Sequence, residues 1–151
     1  MFKTLKFLNV NLTMNHPASI HVCAAVIRKN GKVLLCSRPD GKHLEGMWEF
    51  PGGKVDTGET DGICLRREIK EELSLDIFVA DQIYRLSHKY PDKEVDIRFY
   101  RAFASDDNQK IIAMDKQQYR WVEISDLMQM DIIPADAPFC EFLILSCSQF
   151  L

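Results

Sequence analysis

Two kinds of hydrophobic patterning divide the chain. Ile20 to Arg28 and Lys32 to Ser37 are apolar and rich in β-branched residues, as strands are, and Asn30-Gly31 between them marks a two-residue hairpin turn. Further strands are predicted over Leu75 to Ala80, Ile83 to Lys89 and Glu94 to Ala104, the last with Val95, Ile97 and Phe99 alternating with polar residues. Polar Ser105 to Lys110 reads as a loop and Tyr119 to Ile124 as a short final strand. Between these lies a different texture. Gly52 to Glu59 is punctuated by glycines, and from about Glu59 helix formers such as Leu65, Arg67, Glu68, Lys70 and Glu72 take over, so a loop enters a helix. Thr57 or Glu59, with Thr60 and Asp61, supply capping chemistry and negative charge for its first turn. Ser125 is placed to cap a short helix to about Met130, and Asp136 to Ser148 predicts a closing helix with Phe139, Phe142 and Leu143 facing inward. Strands, helix, strands, helices in this order fit an α/β/α sandwich around a mixed β-sheet.

Length and charge narrow the picture. At 151 residues the chain predicts one domain. Its formal charge of −3 argues against a general binder of nucleic-acid polymers, which carries a basic field. The five cysteines are odd in number and lack metal-ligand spacing, so a reduced, cytoplasmic chain with small buried thiols is expected, without disulfide or zinc. Residues 1–19 form an N-terminal extension before the domain at 20–151. The extension has no apolar run long enough for an export signal or a membrane span. Met14 is an alternative start; the other reading makes the segment an edge strand or a dimer contact.

Candidate chemistry concentrates on the predicted helix. Each residue advances about 100°, so Glu71 stands about 60° to one side of Glu68 and Glu72 about 40° to the other. Three carboxylates share one face and repel one another unless a cation joins them. Oxygen-only ligands suit Mg²⁺ first and Mn²⁺ second. The competing reading is a solvated acidic face balanced by Arg66, Arg67 and Lys70.

The pattern Gly53, five residues, Glu59, seven residues, Arg67-Glu68-Ile69, one residue, Glu71-Glu72, one residue, Ser74-Leu75 resembles the nudix box. It departs at Ser74, where the family has Gly, and so raises the question of how the helix ends. The stretches VIRKNGKVLLCSRPDGKHLEGMWEFPGGKVDTGE and IIPADAPFCEFL extend the likeness to the MutT-like branch over most of Ile20 to Phe142. The resemblance implies a nudix-type α/β/α sandwich with a loop-helix-loop metal site. It implies that Glu68, Glu71, Glu72 and the carbonyl of Gly52 hold the metal, with Glu59 and Arg67 orienting those ligands. Asp115, six residues before Trp121, matches a family Glu near the metal or the attacking water; the alternative is a surface carboxylate. Arg38 matches a substrate-meeting position, against a plain loop cation. Phe50 and Tyr90 match aromatics near the base, though either, like Trp48, also fits a core position. Asp136 aligns with a base-reading Asn, with a helix N-cap as its other role; an ionised Asp accepts only, whereas Asn both donates and accepts.

The expected activity is hydrolysis of a nucleoside triphosphate to monophosphate and pyrophosphate, on 8-oxo-dGTP or on CTP and modified pyrimidines. The alternatives are an ADP-ribose pyrophosphatase and a non-enzymatic nucleotide sensor. Retention of Glu68, Glu71 and Glu72 argues against the sensor. The expected partner is the nucleotide alone, with no membrane, and the chain acts as monomer or homodimer.

Overall fold

The computed structural model describes residues 18–114 and 116–146. Strands β1 (Ser19–Lys29) and β2 (Lys32–Ser37) form the expected hairpin, with Lys29 opposite Lys32. Asn30 and Gly31 take φ of 51° and 79°, the left-handed pair whose twist suits a two-residue turn. After β2 come β3 (Trp48–Glu49) and β4 (Gly52–Lys54), helix α1 (Asp61–Leu73), β5 (Ile77–Lys89), β6 (Glu94–Ala104) and β7 (Tyr119–Glu123). A 3₁₀ turn at Ile124–Gln129 and helix α2 (Ala137–Ser146) complete the described chain. The strands order as β3-β2-β1-β6-β5, with β4 also pairing β1 and β7 also pairing β2. β1 and β6 run parallel, whereas the other pairs are antiparallel, so the sheet is mixed.

Alternation along β1 builds a core on each face. Ala24 and Val26 face one cluster with Phe50, Phe99, Phe139, Cys140 and Leu143, so α2 covers that side. Cys23, Ala25 and Ile27 face the other with Cys64, Leu65, Ile69 and Leu73, so α1 covers the opposite side. The result is the α/β/α sandwich.

Local details differ from the sequence-based expectations in four places. The two strands expected over Leu75 to Lys89 are one strand, because β5 stays paired to β6 through register shifts between Val79 and Tyr84 rather than breaking. Thr60 alone caps α1, accepting from the Ile63 N–H at 3.3 Å, and the helix starts two residues after Glu59. Ser125 caps nothing: it lies inside the 3₁₀ turn, whose N-cap is Glu123, and its hydroxyl turns to Asp126. Ser74 adopts the left-handed conformation, φ 56° and ψ 23°, and its N–H bonds to the Lys70 carbonyl, so a serine makes the exit expected of glycine. The extension at residues 1–17 and the expected helix end at Ser148 lie outside the described residues. Among those described, no helix is long and apolar enough to cross a membrane.

Candidate active site

Arg67 is the hub of the acidic face of α1. Its Nε and Nη2 reach Glu59 Oε1 and Oε2 at 2.6 and 2.8 Å, a two-pronged pair that matches guanidinium to carboxylate geometry. Its Nη1 donates to Glu68 at 2.8 Å and to Glu71 at 3.4 Å. Glu59 also accepts the Asp56 N–H at 3.0 Å, folding the glycine-rich loop back on the helix. Bonds from Arg67, then from that backbone N–H, lower the Glu59 carboxyl to about 2. Glu59 and Arg67 thus connect the loop to both Glu68 and Glu71.

The glycine pair lies close to both β1 and α1. A Cβ on Gly53 would lie 2.4 Å from the Glu68 carboxyl carbon, and one on Gly52 would lie 2.1 Å from the Cys23 carbonyl. At Gly52, where the neighbour is the β1 backbone, only glycine fits; at Gly53 a Cβ would displace the end of the Glu68 side chain. Glu72 extends beside them, where the nearby Gly52 N–H favours its ionised form. Burial first, then the charges of Glu68, Glu49 and Glu71, push its carboxyl up to about 8.

Alongside lies a cavity of about 440 Å³, reached by Glu68, Glu72, Arg38, Glu49, Tyr90 and Asp136. Arg38 Nη1 pairs with Glu49 Oε2 at 2.5 Å, and its Nε donates to the His43 carbonyl at 2.6 Å. Burial raises the Glu49 carboxyl, an effect Arg38 opposes. Asp136 is 3% exposed and its Oδ2 accepts the Phe50 N–H at 2.9 Å. Its carboxylate therefore joins Phe50, another lining residue of the cavity, while its backbone carbonyl takes the N–H groups of Phe139 and Cys140. Burial raises it to about 7. Phe50 lines the cavity, but its ring packs edge-on against Phe99 and Phe139. Tyr90 stands half-buried, edge-on to His43 and His88, with Lys93 Nζ 5.4 Å from its ring centre.

The glycine-rich loop, the Arg67-centred carboxylates and the adjoining cavity sit on a fold matched by known proteins. The NUDIX domain family model matches residues 22–141. The chain belongs to the nudix family. It is 34% identical over 122 residues to the CTP pyrophosphohydrolase of Escherichia coli K12, covering 81% of this chain and 89% of that one. It is 32% identical over 136 residues to the 8-oxo-dGTP diphosphatase of Haemophilus influenzae, covering 87% and 96%. The solution structure of the E. coli ORF135 protein superposes with a TM-score of 0.75 at 29% identity, covering 89% and 95%. The chain is a nudix hydrolase of the MutT-like kind.

Nudix hydrolases generally need a divalent metal ion, and the donor set here fits one. Among the described residues no three ligand side chains form a ready-made cage, because Arg67 draws Glu68 and Glu71 toward itself. Yet Glu68 and Glu72 are hard oxygen donors lining the cavity, and Glu72 is pushed toward protonation by burial and like charges. A cation relieves that repulsion and the desolvation together. Asp115 lies outside the described residues. Glu49 was missed from sequence. The signal was slight: it follows buried Trp48 in a two-residue strand, and nothing in its neighbours along the chain announces that Arg38 and Glu72 converge on it.

Proposed function

We propose that this nudix hydrolase converts nucleoside triphosphates to the monophosphate and pyrophosphate, acting on the free nucleotide pool of the cytoplasm rather than on nucleic-acid polymers. The observation that supports it best is that one cavity is lined both by Glu68 and Glu72 and by Asp136. A nucleotide lies along it with its phosphates toward α1 and its base toward Asp136.

Glu68, Glu71, Glu72 and the Gly52 carbonyl would hold Mg²⁺, with Mn²⁺ as a substitute. When bound, the ion neutralises phosphate charge and lowers the pKa of water for in-line attack. Arg67 holds Glu68 and Glu71 through its hydrogen bonds to both, and Glu59 keeps Arg67 in place. Arg38 turns toward the incoming phosphates from its pair with Glu49. Water attacks the β-phosphorus and the nucleoside monophosphate leaves; attack at the α-phosphorus gives the same products with the oxygen in the other one, which ¹⁸O-water distinguishes. Tyr90 and Phe50 flank the base, and Asp136 reads its edge. An ionised Asp136 accepts from the exocyclic amine of cytosine or guanine, so cytosine nucleotides and 8-oxo-dGTP are the leading substrates.

The test is kcat/KM with Mg²⁺ on 8-oxo-dGTP, dGTP, CTP, 5-methyl-dCTP and ADP-ribose, with monophosphate and pyrophosphate resolved by chromatography. A lead by 8-oxo-dGTP makes the chain a pool-sanitising enzyme, and a lead by CTP makes it a cytosine-nucleotide hydrolase. Turnover of ADP-ribose alone would overturn the proposal.

A further inference from the structure

Asp61 opens α1, and its carboxylate faces the sheet rather than solvent, with the side chain only 14% exposed. Tyr100 Oη donates to its Oδ2 at 2.6 Å, and Arg98 Nη1 reaches the same oxygen at 3.3 Å. His21 Nε2 lies 3.2 Å from Oδ1. Tyr100 and Arg98 come from β6 and His21 from β1, the parallel pair at the centre of the sheet. Arg98 is itself steadied by Asp96, which also pairs with Arg85. The Cys23 thiol of β1 adds a contact to the Asp61 carbonyl at 3.7 Å.

We propose that Asp61 is a positioning residue that sets the rotation of α1 and so aims Glu68 and Glu72, an inference that rests on reading those two as metal ligands. Along a helix of about 100° per residue, Glu68 and Glu72 follow Asp61 by seven and eleven residues and return to within about 20° of its direction. The anchor and both carboxylates therefore lie on one stripe. The apolar contacts of Cys64, Leu65, Ile69 and Leu73 set how close α1 lies to the sheet, but such contacts are non-directional and resist rotation weakly. A carboxylate held by hydrogen bonds from Tyr100 and Arg98 of β6, with His21 of β1 beside it, is directional. At a side-chain radius of about 5–6 Å, a 10° rotation carries a carboxylate about 1 Å. The Glu68 carboxylate lies against Gly53, so close that a Cβ there would come within 2.4 Å of its carboxyl carbon, and a displacement of that size changes how the two sit together.

Asp61→Asn and Tyr100→Phe test this, with Leu143→Ala as a control that destabilises the distant α2 face. Mn²⁺ is titrated into each protein without nucleotide and free ion is read by electron paramagnetic resonance, alongside Tm and nucleotide KM at saturating Mg²⁺. Asp61→Asn is expected to weaken Mn²⁺ about tenfold or more, the scale of lost support behind a metal ligand, and Tyr100→Phe to weaken it less in the same direction. KM at saturating metal stays within about twofold and Leu143→Ala keeps wild-type Mn²⁺ affinity while its Tm falls. Unchanged Mn²⁺ affinity in Tyr100→Phe and in folded Asp61→Asn overturns the proposal, as does an equal loss in Leu143→Ala or a wild-type chain that binds no Mn²⁺. Wild-type protein that binds Mn²⁺ but hydrolyses no nucleotide would refute the pyrophosphohydrolase reading alone, leaving Asp61 to be judged by the Mn²⁺ affinities.

Discussion

Asp136 is the buried carboxylate on which base choice turns. Its folded value of about 7 lies above the ordinary 3.8, so the folded state binds the proton more tightly than the unfolded state. The neutral form is comfortable at low pH, and its stability advantage is lost as pH rises through the window from about 4 to 7. Asp136→Asn, which keeps an oxygen for the Phe50 N–H but cannot ionise, is expected to gain in Tm over wild type as pH rises from 4.5 to 8. The rise from 3.8 to about 7 corresponds to at most about 4 kcal/mol. The same variant is expected to redistribute kcat/KM among bases while the products stay unchanged. Glu71→Gln should leave Tm nearly untouched, because Glu71 is exposed, yet lower turnover by about 10²-fold or more through lost charge stabilisation. Single-turnover and steady-state rates check this. The carboxylates on α1 were legible because helical spacing alone brings Glu68, Glu71 and Glu72 to one face. Glu49 was not, because its partners Arg38 and Glu72 lie 11 and 23 residues away along the chain and meet it only across folded strands.

At the scale of elements, α1 is held at both ends by different means. Thr60 caps its start, and the loop after β6 closes its end: the N–H groups of Ile112 and Met114 bond to the carbonyls of Leu73 and Glu72 at 3.0 and 2.9 Å. Those carbonyls are among the last in the helix, which have no partner within it. Ser74 leaves the helix left-handed, a conformation that disfavours any residue with a Cβ by about 1 kcal/mol or more. Ser74→Gly is expected to raise Tm by about 2 °C without moving metal affinity, which a thermal melt with and without Mn²⁺ checks. The starts of α1 and α2 and the bounds of the 3₁₀ turn were legible to within two residues from glycine spacing, caps and helix formers. The joining of two expected strands into β5 was not, since pairing with β6 across the irregularity depends on a strand ten or more residues further on.

For the whole molecule, α2 packs on the sheet face and on Phe50, which lines the cavity. Phe139 is fully buried, stacked on Phe99 with ring centres 4.0 Å apart, and also packs against Phe50 and Tyr84. Phe139→Ala should cost about 3–5 kcal/mol of stability, measured by urea unfolding, and should raise nucleotide KM more than it lowers kcat, because Phe50 and Asp136 lose their backing. The sequence by itself determined what local rules govern: the hairpin at Asn30-Gly31, the loop-to-helix entry, the acidic stripe of α1, and the inward face of α2. These follow from backbone preferences and from periods of 2 and 3.6. Tertiary structure alone decided that Asp136 bonds Phe50 rather than capping α2, that Arg38 is matched by Glu49, and that Asp61 meets β1 and β6. Each of those contacts joins groups between 11 and 86 residues apart, and no local preference specifies a partner at that distance; only the sheet order and the packing of a helix on each face bring them together.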